Sequence, residues 1–156
     1  MAAWQVDLHI VPRQALATAP HPLTPAIVES TNWWESQRSP ADYQTRLAAI
    51  AAPGKSGEAA LETWGEEQGN RVDVWSEGGQ VKRIRVRVDV RRLDARFGAA
   101  VLGFVRAANA VMIRGDGVVL EPTIAAFAGA LRSSAAWRYA NNPAAILSRA
   151  ALEDAE

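Results

Sequence analysis

A chain of 156 residues, 49% apolar and 22% charged, is long enough to bury a proper core and too apolar to be disordered. Seventeen basic residues balance seventeen acidic ones, which argues against a protein that coats nucleic acid by bulk charge but leaves room for a local patch. Without cysteine, disulfides, zinc thiolates and a Cys nucleophile are excluded, and two histidines, His9 and His21, argue against a His-rich metal site.

The opening "MAAWQVDLHIV" lacks the basic-then-apolar pattern of a signal peptide. The apolar stretch "FGAAVLGFV", 97–105, is too short to span a membrane. The expectation is a soluble, cytoplasmic protein with no membrane partner. Fifteen arginines against two lysines, with abundant alanine, read as the coding bias of a GC-rich bacterium.

In chain order, residues 4–11 alternate, with Trp4, Val6, Leu8 and Ile10 on one side and Gln5, Asp7 and His9 on the other, the pattern of a half-buried strand. Residues 11–38 carry prolines at 12, 20, 22 and 25 and read as an irregular segment, with Thr24 capping a short turn of helix, "PAIVES". Trp33 and Trp34 are adjacent, so their side chains diverge. One ring is expected to lid the edge of the core and the other to stay partly exposed, a candidate aromatic anchor for a protein partner.

A helix is expected over 39–52, with Ser39 as N-cap, Pro40 at N1, and a stripe of Tyr43, Leu47, Ile50 and Ala51. "PGKSG", 53–57, breaks it. The phosphate-loop pattern would need glycine at 49, where Ala49 stands, and a preceding strand. A weaker helix follows over 58–67, carrying Leu61 and Trp64.

Strands over 70–75 and 81–92 flank "SEGGQ". Ile84, Val86, Val88 and Val90 share one face and Arg83, Arg85, Arg87 and Asp89 the other. A two-residue Gly78–Gly79 loop would oppose Val74 to Arg83 and set the faces in conflict. An odd loop is therefore expected, placing Val72 opposite Ile84 and Asp73 opposite Arg83.

Asp94 should cap a helix over 94–109, in which Gly98 and Gly103 permit close contact with the sheet. A hairpin about Asp116–Gly117 spans 111–122, Thr123 opens another helix, and a last one over 141–150 has Asn142 as cap and Pro143 at N1. Residues 152–156 read as a frayed tail.

These elements describe one α+β domain over 1–156, a two-layer sandwich with a mostly antiparallel sheet of about five strands and helices on one face. The order contains βαββαβ and resembles the split arrangement of ferredoxin-like folds, with a C-terminal hairpin and helices added. That likeness implies no function.

The uncovered face would show Gln5, Asp7, His9, Arg71, Asp73, Trp75, Arg83, Arg85, Arg87, Asp89, Met112, Arg114 and Glu121. Alternation alone accounts for the arginine spacing, so the plain reading is a solvated strand face laced with ion pairs. The functional reading is a surface for an unidentified, acidic protein partner. Nucleic acid is disfavoured, because single-strand binders add exposed aromatics and Trp75 is the only one expected here. Asp7 and His9, at i and i+2, could form an acid–base pair, but no motif supplies a third group. No cofactor is expected. The sequence favours a non-enzymatic protein-binding module, inhibitor- or immunity-like. The alternatives are a weak nucleic-acid binder using Arg83, Arg85 and Arg87, or a small enzyme without a sequence signature.

Overall fold

The alternating segments find one another as a single sheet in the computed structural model, which describes residues 1–141. In chain order the elements are β1 Gln5–Pro12, α1 Arg13–Ala17, α2 Pro25–Ser30, α3 Tyr43–Ile50, β2 Leu61–Gly65, β3 Arg71–Glu77, β4 Gln80–Asp89, α4 Ala95–Ala107, β5 Ala110–Arg114, β6 Val119–Leu120, α5 Ile124–Arg132 and α6 Ala135–Asn141. The strands lie in the order β2-β3-β4-β1-β5-β6, all antiparallel, with helices packed on one side. This is the expected α+β architecture.

The apolar face follows from the pleat. Val6 and Leu8 stand opposite Val88 and Val86, and Val72 and Val74 stand opposite Val86 and Ile84. All are buried, and they share the core with Leu47 of α3 and Val101, Phe104 and Val105 of α4. Three of the expected caps are in place. The side chain of Thr24 accepts from Ile27 N, that of Asp94 from Arg96 N and Phe97 N, and that of Thr123 from Ala126 N. Each satisfies backbone donors that a helix start leaves unpaired.

Several expectations need correction. The sheet has six strands among the described residues, because 61–65 within the expected 58–67 helix forms edge strand β2. It pairs along β3 from Leu61↔Trp75 to Gly65↔Arg71, and its other side meets the turn after α3 through Gly54 N to Thr63 O and Gly65 N to Ala52 O. Two sets of ladder bonds outweigh a weak helical pattern.

The helix expected from Ser39 starts at Tyr43. Ser39 Oγ accepts from Val81 N instead, so this residue ties the chain to β4. The segment 11–38 is not irregular throughout: it completes β1 and carries α1 and α2. Gly98 admits Phe127 of α5 and not the sheet, since an added Cβ would lie 3.1 Å from its ring, whereas Gly103 faces open space. The helix expected over 141–150 falls, but for its first residue, outside the described residues, and so does the tail.

The hairpin register also differs. Its loop is the two-residue Gly78–Gly79 turn, with φ of 58° and 79°. The predicted clash of faces is avoided by a bulge: Ser76 pairs with Val81 but Trp75 with Arg83, leaving Lys82 as the extra residue. Val74 therefore meets Ile84, and Asp73 meets Arg85, not Arg83.

Candidate functional site

Because β3, β4 and β1 are neighbours, Arg71, Asp73 and Trp75, then Arg83, Arg85, Arg87 and Asp89, then Gln5, Asp7 and His9 form one continuous polar face. Asp73 lies opposite Arg85, Trp75 opposite Arg83, Arg71 and Asp7 opposite Arg87, and His9 opposite Arg85. These are residues the sequence singles out, and the fold brings them together; Trp33, Trp34, Met112, Arg114 and Glu121 lie elsewhere.

At the centre is Asp73, whose carboxylate is 0% exposed. Arg71 Nε donates to Oδ1 at 2.5 Å, and Arg85 Nη2 donates to Oδ2 at 2.8 Å. A charge withdrawn from water this fully needs such partners, because desolvation alone would make it untenable. On the β1 side, Arg87 Nε donates to Asp7 Oδ1 at 3.1 Å. Toward the end of β4, Arg91 makes a bidentate contact with Asp89 and its guanidinium lies 4.0 Å from the centre of the Trp4 ring. Burial raises the Asp89 pKa, but the hydrogen bonds and charge of Arg91 outweigh it and hold the carboxyl below its usual range.

Trp75 is flanked by two cations. The guanidinium of Arg83 lies 4.4 Å from the ring centre and that of Arg85 4.8 Å. Arg83 differs from its neighbours. Its Nη1 donates to the backbone carbonyl of Glu29 in α2 at 2.7 Å, and its Nε is buried without a hydrogen-bond partner among the described residues. His9 is 4% exposed. Burial, reinforced by Arg85 and by the farther Arg83 and Arg87 against an opposing contribution from Glu29, lowers its pKa to about 4. The imidazole is thus neutral at physiological pH.

The ladder is more recessed than a bare strand face. Arg83, Arg85 and Arg87 are expected to face solvent, but the side chains of Arg85 and Arg87 are only 13% and 14% exposed. Cross-strand partners lie close, Trp75 covers two of the guanidiniums, and α2 reaches Arg83. Met112 and Arg114 do not belong to this face. Val111 and Ile113 do, since they stand opposite Val11 and His9, and both are buried. Arg114 turns to α5, donating to Ala130 O and Ser133 Oγ. Glu121 pairs with Arg13 at the surface.

The tryptophan pair is corrected too. Trp33 and Trp34 are both buried, at 4% and 2% exposure. Divergent rings can both be covered because each finds its own backbone acceptor: Trp33 Nε1 donates to Val28 O and Trp34 Nε1 to Ile10 O. Neither presents an exposed anchor.

Two members of the polar surface are missed by the sequence reading. Thr63 stands opposite Asp73 on β2, hidden by the helical reading of 58–67. Arg91, paired with Asp89 and lying over the Trp4 ring, ties the end of β4 to the start of the chain, and only the i, i+2 spacing of the ion pair is a local signal.

Away from this face, an open groove of about 1670 Å³ runs between the end of α3, the turn after β2 and the start of α4. Ile50 and Phe97 are among its apolar lining, and Arg92, Arg96, Glu66 and Asp94 among its charged lining, so no sign of charge dominates. Among the described residues, no group of three or more His, Asp or Glu side chains is placed to hold a metal ion, and no helix is long and apolar enough to cross a membrane. No protein-family model, curated protein sequence or solved structure matches the chain.

Proposed function

We propose that the protein is a non-enzymatic binding module whose β1–β3–β4 face receives an acidic protein partner. The observation that carries this reading is the charge of the face. Five arginines (71, 83, 85, 87 and 91) meet three aspartates (7, 73 and 89) and Glu29 of α2, whose charge reaches His9, leaving one positive charge over one sheet surface in a chain of zero formal net charge. Such a surplus attracts and orients an anionic surface, and complementary charge suppresses wrong partners. Trp75, half-buried beside two guanidiniums, adds the amphipathic aromatic that protein interfaces favour. An inhibitor or immunity-like role fits a small module of this kind.

The test is a titration of isotope-labelled protein with a short Glu-rich peptide, followed by amide and indole resonances. Changes concentrated on β1, β3, β4 and the Trp75 indole support the reading. Changes confined to the groove beside α4, or no changes at all, overturn it.

A further inference from the structure

We propose that Arg83 is the recognition residue of this face and receives a carboxylate side chain of the acidic partner, while Arg71, Arg85 and Arg87 are structural. The inference rests on the protein-binding reading above. Arg71 and Arg85 are both engaged by the fully buried Asp73, and Arg87 by Asp7. Removing any of these arginines disturbs an internal ion pair. Arg83 makes no ion pair with a described carboxylate. Its anchors are neutral: the Glu29 carbonyl on one side and the Trp75 ring on the other.

Those two contacts define a site. The Trp75 ring on one side and the hydrogen bond to the Glu29 carbonyl on the other hold the guanidinium in place, so its remaining donors are pre-organised. A partly desolvated cation that makes no ion pair among the described residues is costly in the free protein. An arriving carboxylate supplies the missing charge and returns that cost as affinity. Planar two-oxygen anions match the guanidinium fork, which is why a carboxylate is the chemistry assigned.

The experiment measures the affinity of a fluorescent Glu-rich peptide by polarisation for the wild type and for Arg83→Gln, Arg83→Lys and Arg92→Gln, with thermal unfolding of each. Arg92 is an exposed arginine off the face and controls for loss of one charge. The expected result is about tenfold or greater weakening for Arg83→Gln. Arg83→Lys, which keeps charge but loses the fork and the stack, should fall between it and the wild type. Arg92→Gln should match the wild type, and melting temperatures should change little. Equal binding by a folded Arg83→Gln overturns the assignment while leaving the protein-binding reading intact. Should that variant fail to fold, Arg83→Lys decides: affinity equal to wild type overturns the assignment. Absence of wild-type binding, or tighter Arg83-independent binding of a single-stranded oligonucleotide, removes both the assignment and the reading beneath it.

Discussion

Asp73 and Arg85 face each other across β3 and β4, with Arg85 Nη2 2.8 Å from Asp73 Oδ2 and the carboxylate wholly out of water. The pair is therefore part of the interior and not surface decoration. Exposed ion pairs are worth about 0–1 kcal/mol, but removing one member of a buried pair costs about 3–5 kcal/mol. Asp73→Asn should destabilise by the larger amount, because Arg71 and Arg85 both lose their counter-charge. Urea unfolding at neutral pH measures it, and a change within about 0.5 kcal/mol of zero would show that water screens the triad.

Trp34 stands where the β1–β4 ladder ends. That ladder stops at His9↔Arg85, and Trp34 then bonds both strands: its N donates to Lys82 O at 3.0 Å and its Nε1 to Ile10 O at 2.8 Å. Trp34→Phe keeps a ring but leaves the Ile10 carbonyl unpaired, with an expected cost of about 1–3 kcal/mol. Trp34→Ala also opens a cavity and should cost about 3–5 kcal/mol. Equal costs for the two variants would mean that the indole hydrogen bond, not the bulk of the ring, closes this gap.

The depressed pKa of His9 gives stability a pH dependence whose sign is fixed. Above about pH 6.5 the imidazole is neutral in both the folded and unfolded chains. As pH falls, the unfolded chain takes up the proton first, so stability declines until the folded pKa of about 4 is reached. A shift from 6.5 to about 4 corresponds to a loss of about 3 kcal/mol over that window. Asp89 and Asp116, both held below the ordinary carboxylate range, add their losses only below about pH 4. His9→Gln should flatten the decline between pH 6.5 and 4. An undiminished slope in that variant would assign the loss to other groups.

Two glycines of α4 predict opposite responses. Gly103 has open space around its Cβ position, so Gly103→Ala should stabilise by about 1 kcal/mol through helix propensity alone. At Gly98 the new methyl would lie 3.1 Å from Phe127, so the same substitution should gain less or destabilise. Chemical denaturation of the two variants side by side tests whether α5 is seated on α4 as closely as this distance requires.

What could be read from the chain was whatever a few neighbouring residues decide among themselves. Alternation in 4–11 and 81–92 assigns inward and outward faces because a strand repeats every two residues. Thr24, Asp94 and Thr123 announce their helices because a cap bonds donors two or three residues away. The polar face was legible for the same reason: His9, Asp73 and the three arginines reach it by parity alone. Tertiary structure decided the rest, through contacts that no local window contains. Pairing with β3 made 61–65 a strand, and the Lys82 bulge set which arginine meets Asp73. Backbone acceptors at Val28 and Ile10 allowed both Trp33 and Trp34 to be buried. Asp73, a surface acid by sequence pattern, became a buried charge because β3 and β4 hold Arg71 and Arg85 beside it, and that same pairing leaves Arg83 without a carboxylate partner among the described residues.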